Sequence, residues 1–112
     1  IIKNLNKENM DSINNLLKNN ICFISIFSKL CIHCINMKSQ WELLKKKLSI
    51  IKSKSILLEI DADYLNYINN NLLKNSIDGL PFILIFKKGK IIKKYNGNRN
   101  FYNMFKFFKS FI

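Results

Sequence analysis

The sequence predicts an α/β domain: a mixed central sheet of four to five strands flanked by helices on both faces. Three observations carry that expectation. Two nearly continuous apolar runs, Ile21–Phe27 and Ser55–Ile60, read as strands buried on both faces. Segments with apolar residues at helical spacing stand before, between and after these runs. Two alternating runs, Pro81–Phe86 and Lys90–Tyr95, are joined by Lys87-Lys88-Gly89, a hairpin signature. Strands separated by helices pair in parallel, and a terminal hairpin adds antiparallel strands at one edge.

A short strand is expected at Ile1–Asn4. Met10, Ile13, Leu16 and Leu17 then recur at helical spacing, so residues 7–19 read as an amphipathic helix leading into the Ile21–Phe27 strand. Ile35, Met37, Trp41, Leu44 and Leu48 mark a second helix from Ile32 to Leu48. The Ser55–Ile60 strand closes on Asp61-Ala62-Asp63, after which Tyr64, Leu65, Ile68 and Leu72 predict a third helix. Beyond the hairpin, Phe101, Met104, Phe105, Phe108 and Phe111 form the apolar stripe of a last helix. The order is therefore α-β-α-β-α-β-β-α.

The 112 residues suit one domain, 1–112, and not two. Such a chain removes roughly two thirds of its unfolded surface from water, enough for a core of its own. Hydrophobic content of 48% excludes a disordered tail. The net charge of +12 is the loudest feature, yet it has a bland source: Lys, Asn and Ile fill 54 of 112 positions, while Val and Thr are absent. No folding rule removes Val and Thr from a strand-containing protein. The skew has the look of coding bias, which inflates lysine without any partner. No apolar stretch approaches the ~20 residues of a transmembrane helix. The chain opens on Ile1 rather than Met, so an N-terminal segment is expected to have been removed, and the compartment stays open between cytoplasm and a secretory or organelle lumen. The closing Lys109-Ser110-Phe111-Ile112 is not an endoplasmic-reticulum retention signal.

The chemistry concentrates at Cys31-Ile32-His33-Cys34, where a buried strand ends and a helix begins. A helix N-terminus presents unpaired N–H groups and the positive end of the dipole, which favour thiolate over thiol at Cys31. Cys34, one turn further in, is more shielded and close enough to close a disulfide with it. Such a pair cycles between dithiol and disulfide, with the exposed member as nucleophile. His33 can add positive charge near Cys31, which stabilises the reduced form and makes the couple more oxidising. The competing reading is half of a zinc site, which needs a second ligand pair that Cys22, His33 and scattered carboxylates supply poorly. Cys22, on the buried strand, reads as a small apolar core thiol.

At this point the sequence resembles the thioredoxin superfamily along almost its whole length. Cys31-Ile32-His33-Cys34 is similar to the Cys-Gly-His-Cys of protein disulfide isomerase domains, with Ile32 in place of Gly. Ile77-Asp78-Gly79-Leu80-Pro81 before a strand resembles the segment whose proline is cis in that family. Tyr95-Asn96-Gly97-Asn98-Arg99 is similar to the Tyr-x-x-x-Arg after the last strand of isomerase domains, and Trp41 matches their helix tryptophan. The resemblance implies the thioredoxin fold and a thiol–disulfide oxidoreductase. Cys31 would attack a substrate disulfide and Cys34 would resolve the mixed disulfide. Pro81 would be cis beside the cysteines, the Leu80 backbone would pair with the substrate chain, and Arg99 could swing toward the site. It also implies no cofactor or metal beyond the Cys31–Cys34 redox-active disulfide. The partners would be protein disulfides or dithiols, with a thioredoxin reductase as a candidate donor, and the chain would be monomeric.

Departures from the family pattern matter as much. Leu30 stands where an aromatic residue usually precedes the first cysteine, and Ser39 replaces the helix proline. The buried carboxylate that helps move the proton of the second cysteine aligns with Ser25, and its partner lysine on the next strand is missing. Glu59 stands on the equivalent face and is the candidate replacement. Its alternative is an ordinary surface or edge glutamate.

Two other function classes compete. A redox-inert thioredoxin-fold adaptor that docks protein partners is credible because of these losses. A basic nucleic-acid or membrane-surface binder would need exposed aromatics interleaved with lysine, whereas here the aromatics fall at core spacing, so no nucleic-acid partner is expected.

Overall fold

The structure, a computed structural model, describes residues 2–4, 10–51, 53–68 and 71–112. Five strands, β1 (Ile2–Asn4), β2 (Ile21–Phe27), β3 (Ile56–Asp61), β4 (Phe82–Lys87) and β5 (Lys90–Lys94), form one sheet in the order β1-β3-β2-β4-β5. The first three pair in parallel and β4 and β5 run antiparallel, as expected of two crossovers followed by a hairpin. The helices are α1 (Met10–Asn19), α2 (Ile32–Ile50), α3 (Asn71–Asn75) and α4 (Phe101–Lys109), with a 3-10 helix at Ala62–Tyr67. Ile1 and residues 7–9, assigned above to the first strand and first helix, lie outside the described residues.

The two-residue alternation of the strands sorts the core into two layers. Cys22, Ile24 and Ile26, with Ile56, Leu58, Ile60, Leu84 and Phe86, meet Ile13 and Leu17 of α1 and Leu73 of α3. Phe23, Leu57, Ile83 and Ile85 face the other way, onto Met37, Trp41 and Leu44 of α2 and Met104 and Phe108 of α4. Phe108 stacks on Phe23 at 4.6 Å between ring centroids and meets the edge of Trp41 at 6.4 Å. A central strand covered on both faces must be apolar throughout, and β2 is buried from Cys22 to Ile26. Ser25 is the polar exception there.

The hairpin turn is tighter than the sequence suggests. Lys87 pairs with Lys90, so the loop is only Lys88-Gly89, with φ of 48° and 85°. Both values are positive, the signature of the turn whose twist matches adjoining strands, and Gly89 adopts its value without side-chain strain. The backbone N–H groups of Lys88 and Gly89 donate to the Asn20 and Leu17 carbonyls, which ties the turn to the end of α1.

The predicted third helix is two pieces. The Asp61 side chain accepts from the Asp63 N–H at 2.9 Å and starts the 3-10 helix, which ends at Ile68 in an extended conformation. Residues 69 and 70 lie outside the described set, and α3 then begins at Asn71. The break moves the buried position by one: Leu73 is fully buried and Leu72 is 55% exposed. Asparagine-rich sequence is a poor helix former because its side chains compete for backbone groups, so the tertiary demand to bury Ile68 outweighs the apolar spacing. The second helix holds as expected but extends to Ile50, and Ser39 leaves it unbroken. Its buried stripe is Cys34, Met37, Trp41 and Leu44, whereas Ile35, read as part of that stripe, is 53% exposed.

Candidate active site

The loop between β2 and α2 is shaped by Ser28. Its carbonyl accepts from the Cys31 N–H at 3.2 Å and its hydroxyl accepts from the Leu30 N–H at 3.3 Å. Cys31 is the N-cap of α2: its sulfur accepts from the Cys34 N–H at 3.3 Å, the role serine or aspartate usually takes. A cap position requires a β-region backbone, and Cys31 has φ −83° and ψ 118°. The local sequence thus aims one sulfur at the unpaired N–H groups of its own helix.

The two thiols are pushed in opposite directions. A hydrogen bond from the Cys34 thiol lowers Cys31 below the usual thiol range; desolvation opposes it, and the Cys34 and His33 backbone N–H groups and the Arg99 charge reinforce it. Cys34 is buried and is pushed up to about 11, by desolvation first and then by the hydrogen bond and charge of Cys31. His33 is exposed, and it acts on Cys31 through its backbone. Burial drives Cys22 up to about 12, and its S–H donates to the Leu16 carbonyl at 3.7 Å on the opposite side of β2.

The segment from the other end of the chain completes the rim. The Leu80–Pro81 bond is cis, as the resemblance implies, and the Leu80 carbonyl accepts from the Cys31 thiol at 3.5 Å. Pro81 is buried. Leu80, Pro81, Tyr95 and Arg99 line one recess, and Arg99 reaches both sulfurs through its field. Tyr95 is held there because its hydroxyl donates to the Asn98 carbonyl, folding the loop across Gly97. A methyl group on Gly97 would sit 2.7 Å from that hydroxyl, so a residue without Cβ keeps the loop closed. Around the sulfur, Leu30 is 94% exposed and Ile32 61%.

Behind Cys34 lies a second recess of about 360 Å³, with Cys34, Ser25, Met37, Trp41 and Glu59 in its wall. Glu59 pairs in register with Ser25, so the two side chains stand side by side on the face that α2 covers. This excludes the surface or edge alternative for Glu59, whose side chain is 11% exposed. Its Oε1 accepts from the Trp41 indole N–H at 2.7 Å and pairs with Lys45 Nζ at 3.0 Å. Burial works against the Lys45 ammonium, but the Glu59 hydrogen bond and charge, with Glu42, outweigh it and hold Lys45 above its usual value.

Lys45 is the residue the sequence reading missed. The family pattern puts the partner lysine on the next strand, whereas here it comes from α2, one turn beyond Trp41. The available signal was helical spacing: Trp41 and Lys45 share a face, and that face covers Glu59. Gln40 carries no signal in the sequence; its Oε1 accepts from the Phe101 N–H at 2.7 Å, fixing the start of α4 beside Asn100, the α4 cap.

Among the described residues, no group of three or more His, Cys, Asp or Glu side chains is gathered as a metal site would require. No helix among them is long and apolar enough to cross a membrane. Lys47, Lys93, Lys94 and Lys106 lie over aromatic rings of the chain itself, 5.5 to 5.9 Å from the centroids, so part of the basic excess is used within the fold.

Several solved structures share this arrangement. The first two thioredoxin domains of Eps1p from Naumovozyma dairenensis superimpose with a TM-score of 0.71 at 23% identity, over 94% of this chain and 38% of that one. The first thioredoxin domain of mouse protein disulfide-isomerase A4 gives 0.71 at 21% identity, over 96% and 72%. Oxidised thioredoxin from Plasmodium falciparum gives 0.68 at 18% identity, over 99% and 98%. The chain therefore matches a whole thioredoxin but spans only part of the Eps1p structure. At these identities the likeness is one of fold. Sequence carries the rest: the family model for thioredoxin matches residues 1–110, and with that match this chain belongs to the thioredoxin family.

Proposed function

We propose that the chain is a thiol–disulfide oxidoreductase acting on protein disulfides or dithiols through Cys31 and Cys34. The observation that carries this reading is the inequality of the two thiols within one helical turn: Cys31 lowered and partly open, Cys34 raised and buried. The Cys31 thiolate attacks one sulfur of a substrate disulfide, forming a mixed disulfide and releasing the other sulfur as a thiolate that takes up a proton. Cys34 then loses its proton and attacks the Cys31 sulfur. The Cys31–Cys34 disulfide forms and the substrate leaves as a dithiol. Run backwards, the same steps oxidise a client.

The Leu80 backbone, whose carbonyl faces the Cys31 thiol, offers an edge for a substrate chain, and the cis Pro81 beside it limits what can approach the sulfurs. No cofactor enters this scheme; electrons are held in the sulfur–sulfur bond. The test is insulin reduction by dithiothreitol with wild-type and C31S protein. Acceleration that C31S abolishes supports the reading. No acceleration, with the Cys31–Cys34 pair intact, favours an adaptor that binds clients without turning them over. The reduction potential of the couple decides direction: about −270 mV marks a reductant and about −180 mV an isomerase-like oxidant.

A further inference from the structure

The rim of Cys31 gives onto a recess of about 330 Å³, with Asp78, Leu80, Pro81, Lys94, Tyr95 and Arg99 in its wall. Its link to the chemistry is direct, because the Cys31 thiol donates to the carbonyl of Leu80, a member of that wall. A client that presents its sulfur to Cys31 and its backbone to Leu80 brings the residues beside its own cysteine to this recess.

The wall holds two cations, Lys94 and Arg99, against one carboxylate, Asp78. Among the described residues no carboxylate stands within ion-pair distance of either cation. Lys94 is nevertheless held in place: its Nζ donates to the Ser76 carbonyl at 3.4 Å and lies 5.5 Å from the centre of the Phe82 ring. An ammonium has three donors, so capacity remains for a ligand. Arg99 stands close enough for its charge to act on both sulfurs.

We propose that Lys94 and Arg99 are specificity residues that select clients carrying an acidic side chain next to the disulfide cysteine, the client carboxylate binding in this recess. The net charge of +12 draws acidic chains toward the whole surface. The recess decides where the carboxylate comes to rest, since Arg99 offers a forked donor and Lys94 a pinned point charge. Asp78 opposes the carboxylate from the same wall, which keeps the selection moderate. Intrinsic chemistry opposes it too: a carboxylate beside a cysteine raises that thiol's pKa and makes it a poorer leaving group. Any preference for the acidic client therefore comes from the protein.

The selection rests on the oxidoreductase reading, and one experiment separates the two. Reduced protein is offered an equimolar mixture of two disulfide-linked homodimeric peptides. They are identical except that Glu flanks the cysteine on both sides in one and Gln in the other. Acid quenching and mass spectrometry of the released peptide thiols give the ratio of the two kcat/KM values. A general change in Cys31 reactivity cancels in that ratio. Wild type should favour the Glu peptide about fivefold at low salt, the scale of exposed ion pairs, and lose most of that at about 0.5 M salt. K94Q/R99Q should bring the ratio to one or below, and D78N should raise it. K18Q/K46Q removes the same charge from α1 and α2, outside the recess, and should keep the preference within about twofold of wild type.

A wild-type preference below about twofold overturns the proposal, and this readout needs no variant to fold. An equal fall in K18Q/K46Q and K94Q/R99Q also overturns it, because the net charge alone would then be responsible. Oxidised glutathione, compared with its neutral ester, tests the other source of a carboxylate. A charge preference there and none with the peptides overturns the assignment to client side chains. Release of no thiol from either peptide, with Cys31 and Cys34 reduced, overturns the oxidoreductase reading instead.

Discussion

The rim around Cys31 and the recess behind Cys34 sit at opposite sides of one helical turn and obey opposite electrostatics. The rim is solvated and furnished with donors: backbone N–H groups of the helix start, and the Arg99 charge. The recess is enclosed by side chains and furnished with an acceptor, Glu59, pinned by an indole and an ammonium. Donors stabilise a thiolate that must attack. Burial keeps the proton on Cys34. The lesson is that one turn of helix suffices to give two identical side chains different chemistry, provided one points out past the helix end and the other back toward the sheet.

The comparison can be broken most severely at the sulfurs themselves. C31S should abolish insulin reduction down to the rate of dithiothreitol alone. C34S should keep the attack and trap a mixed disulfide, visible by mass spectrometry as a stable adduct. If C34S turned over at the wild-type rate, the division of labour would be wrong.

A smaller but still large effect is expected in thiol reactivity. At pH 7.5 a thiol held near 11 exposes on the order of a hundredfold less thiolate than one at the ordinary value of 9.0, while Cys31 lies below that value. In the reduced wild-type protein, initial iodoacetamide labelling should therefore be at least about a hundredfold faster at Cys31 than at Cys34. Peptide mapping across pH checks this, and equal rates would remove the asymmetry.

The platform beneath both regions can be tested through Phe108, which is fully buried between Phe23 and Trp41. F108A should cost about 3–5 kcal/mol in denaturant unfolding, from lost transfer energy and the cavity left behind. A loss below about 1 kcal/mol would show that Trp41, and with it the recess, does not depend on α4 packing.

Cys22 offers a gentler contrast, being a thiol with no part in either region. Its pKa is about 12 in the fold against an ordinary 9.0. Between those values the unfolded chain has released the proton and the native chain has kept it. The contribution to stability is thus fully present below pH 9 and is lost as pH rises toward 12. Urea midpoints measured over that window should fall less steeply in C22A than in wild type. Parallel slopes would mean that the thiol is solvated.

Smallest of all should be R99A. Arg99 is exposed, so solvent screens it, and its loss should slow the Cys31 attack only a few-fold, with the effect shrinking as salt is added. A change that salt leaves intact would point to a contact rather than a field.

Much of this molecule was readable before any coordinates. Ile21–Phe27, the hairpin runs and the Phe101, Met104, Phe105 and Phe108 stripe form the expected elements, with Phe111 falling beyond the end of α4 at Lys109, because hydrophobic periodicity is a local property that burial on one or two faces imposes directly. Cys31-Ile32-His33-Cys34 at a strand-to-helix junction was equally legible, since helix capping and dipole act within a single turn. The third helix was not: the apolar spacing of Leu65, Ile68 and Leu72 is helical, but the need to bury Ile68 and Leu73 against the sheet splits the segment. Glu59 shows the boundary most clearly. Strand parity alone put it on the face shared with Ser25, a fact of covalent geometry. That it is clasped by Trp41 and Lys45, rather than turned to solvent, depends on where α2 crosses the sheet. Sequence determines what each residue can offer over one turn or one strand. Only the packing of helix on sheet decides which charge meets which, because such pairs lie far apart along the chain and adjacent only across the core.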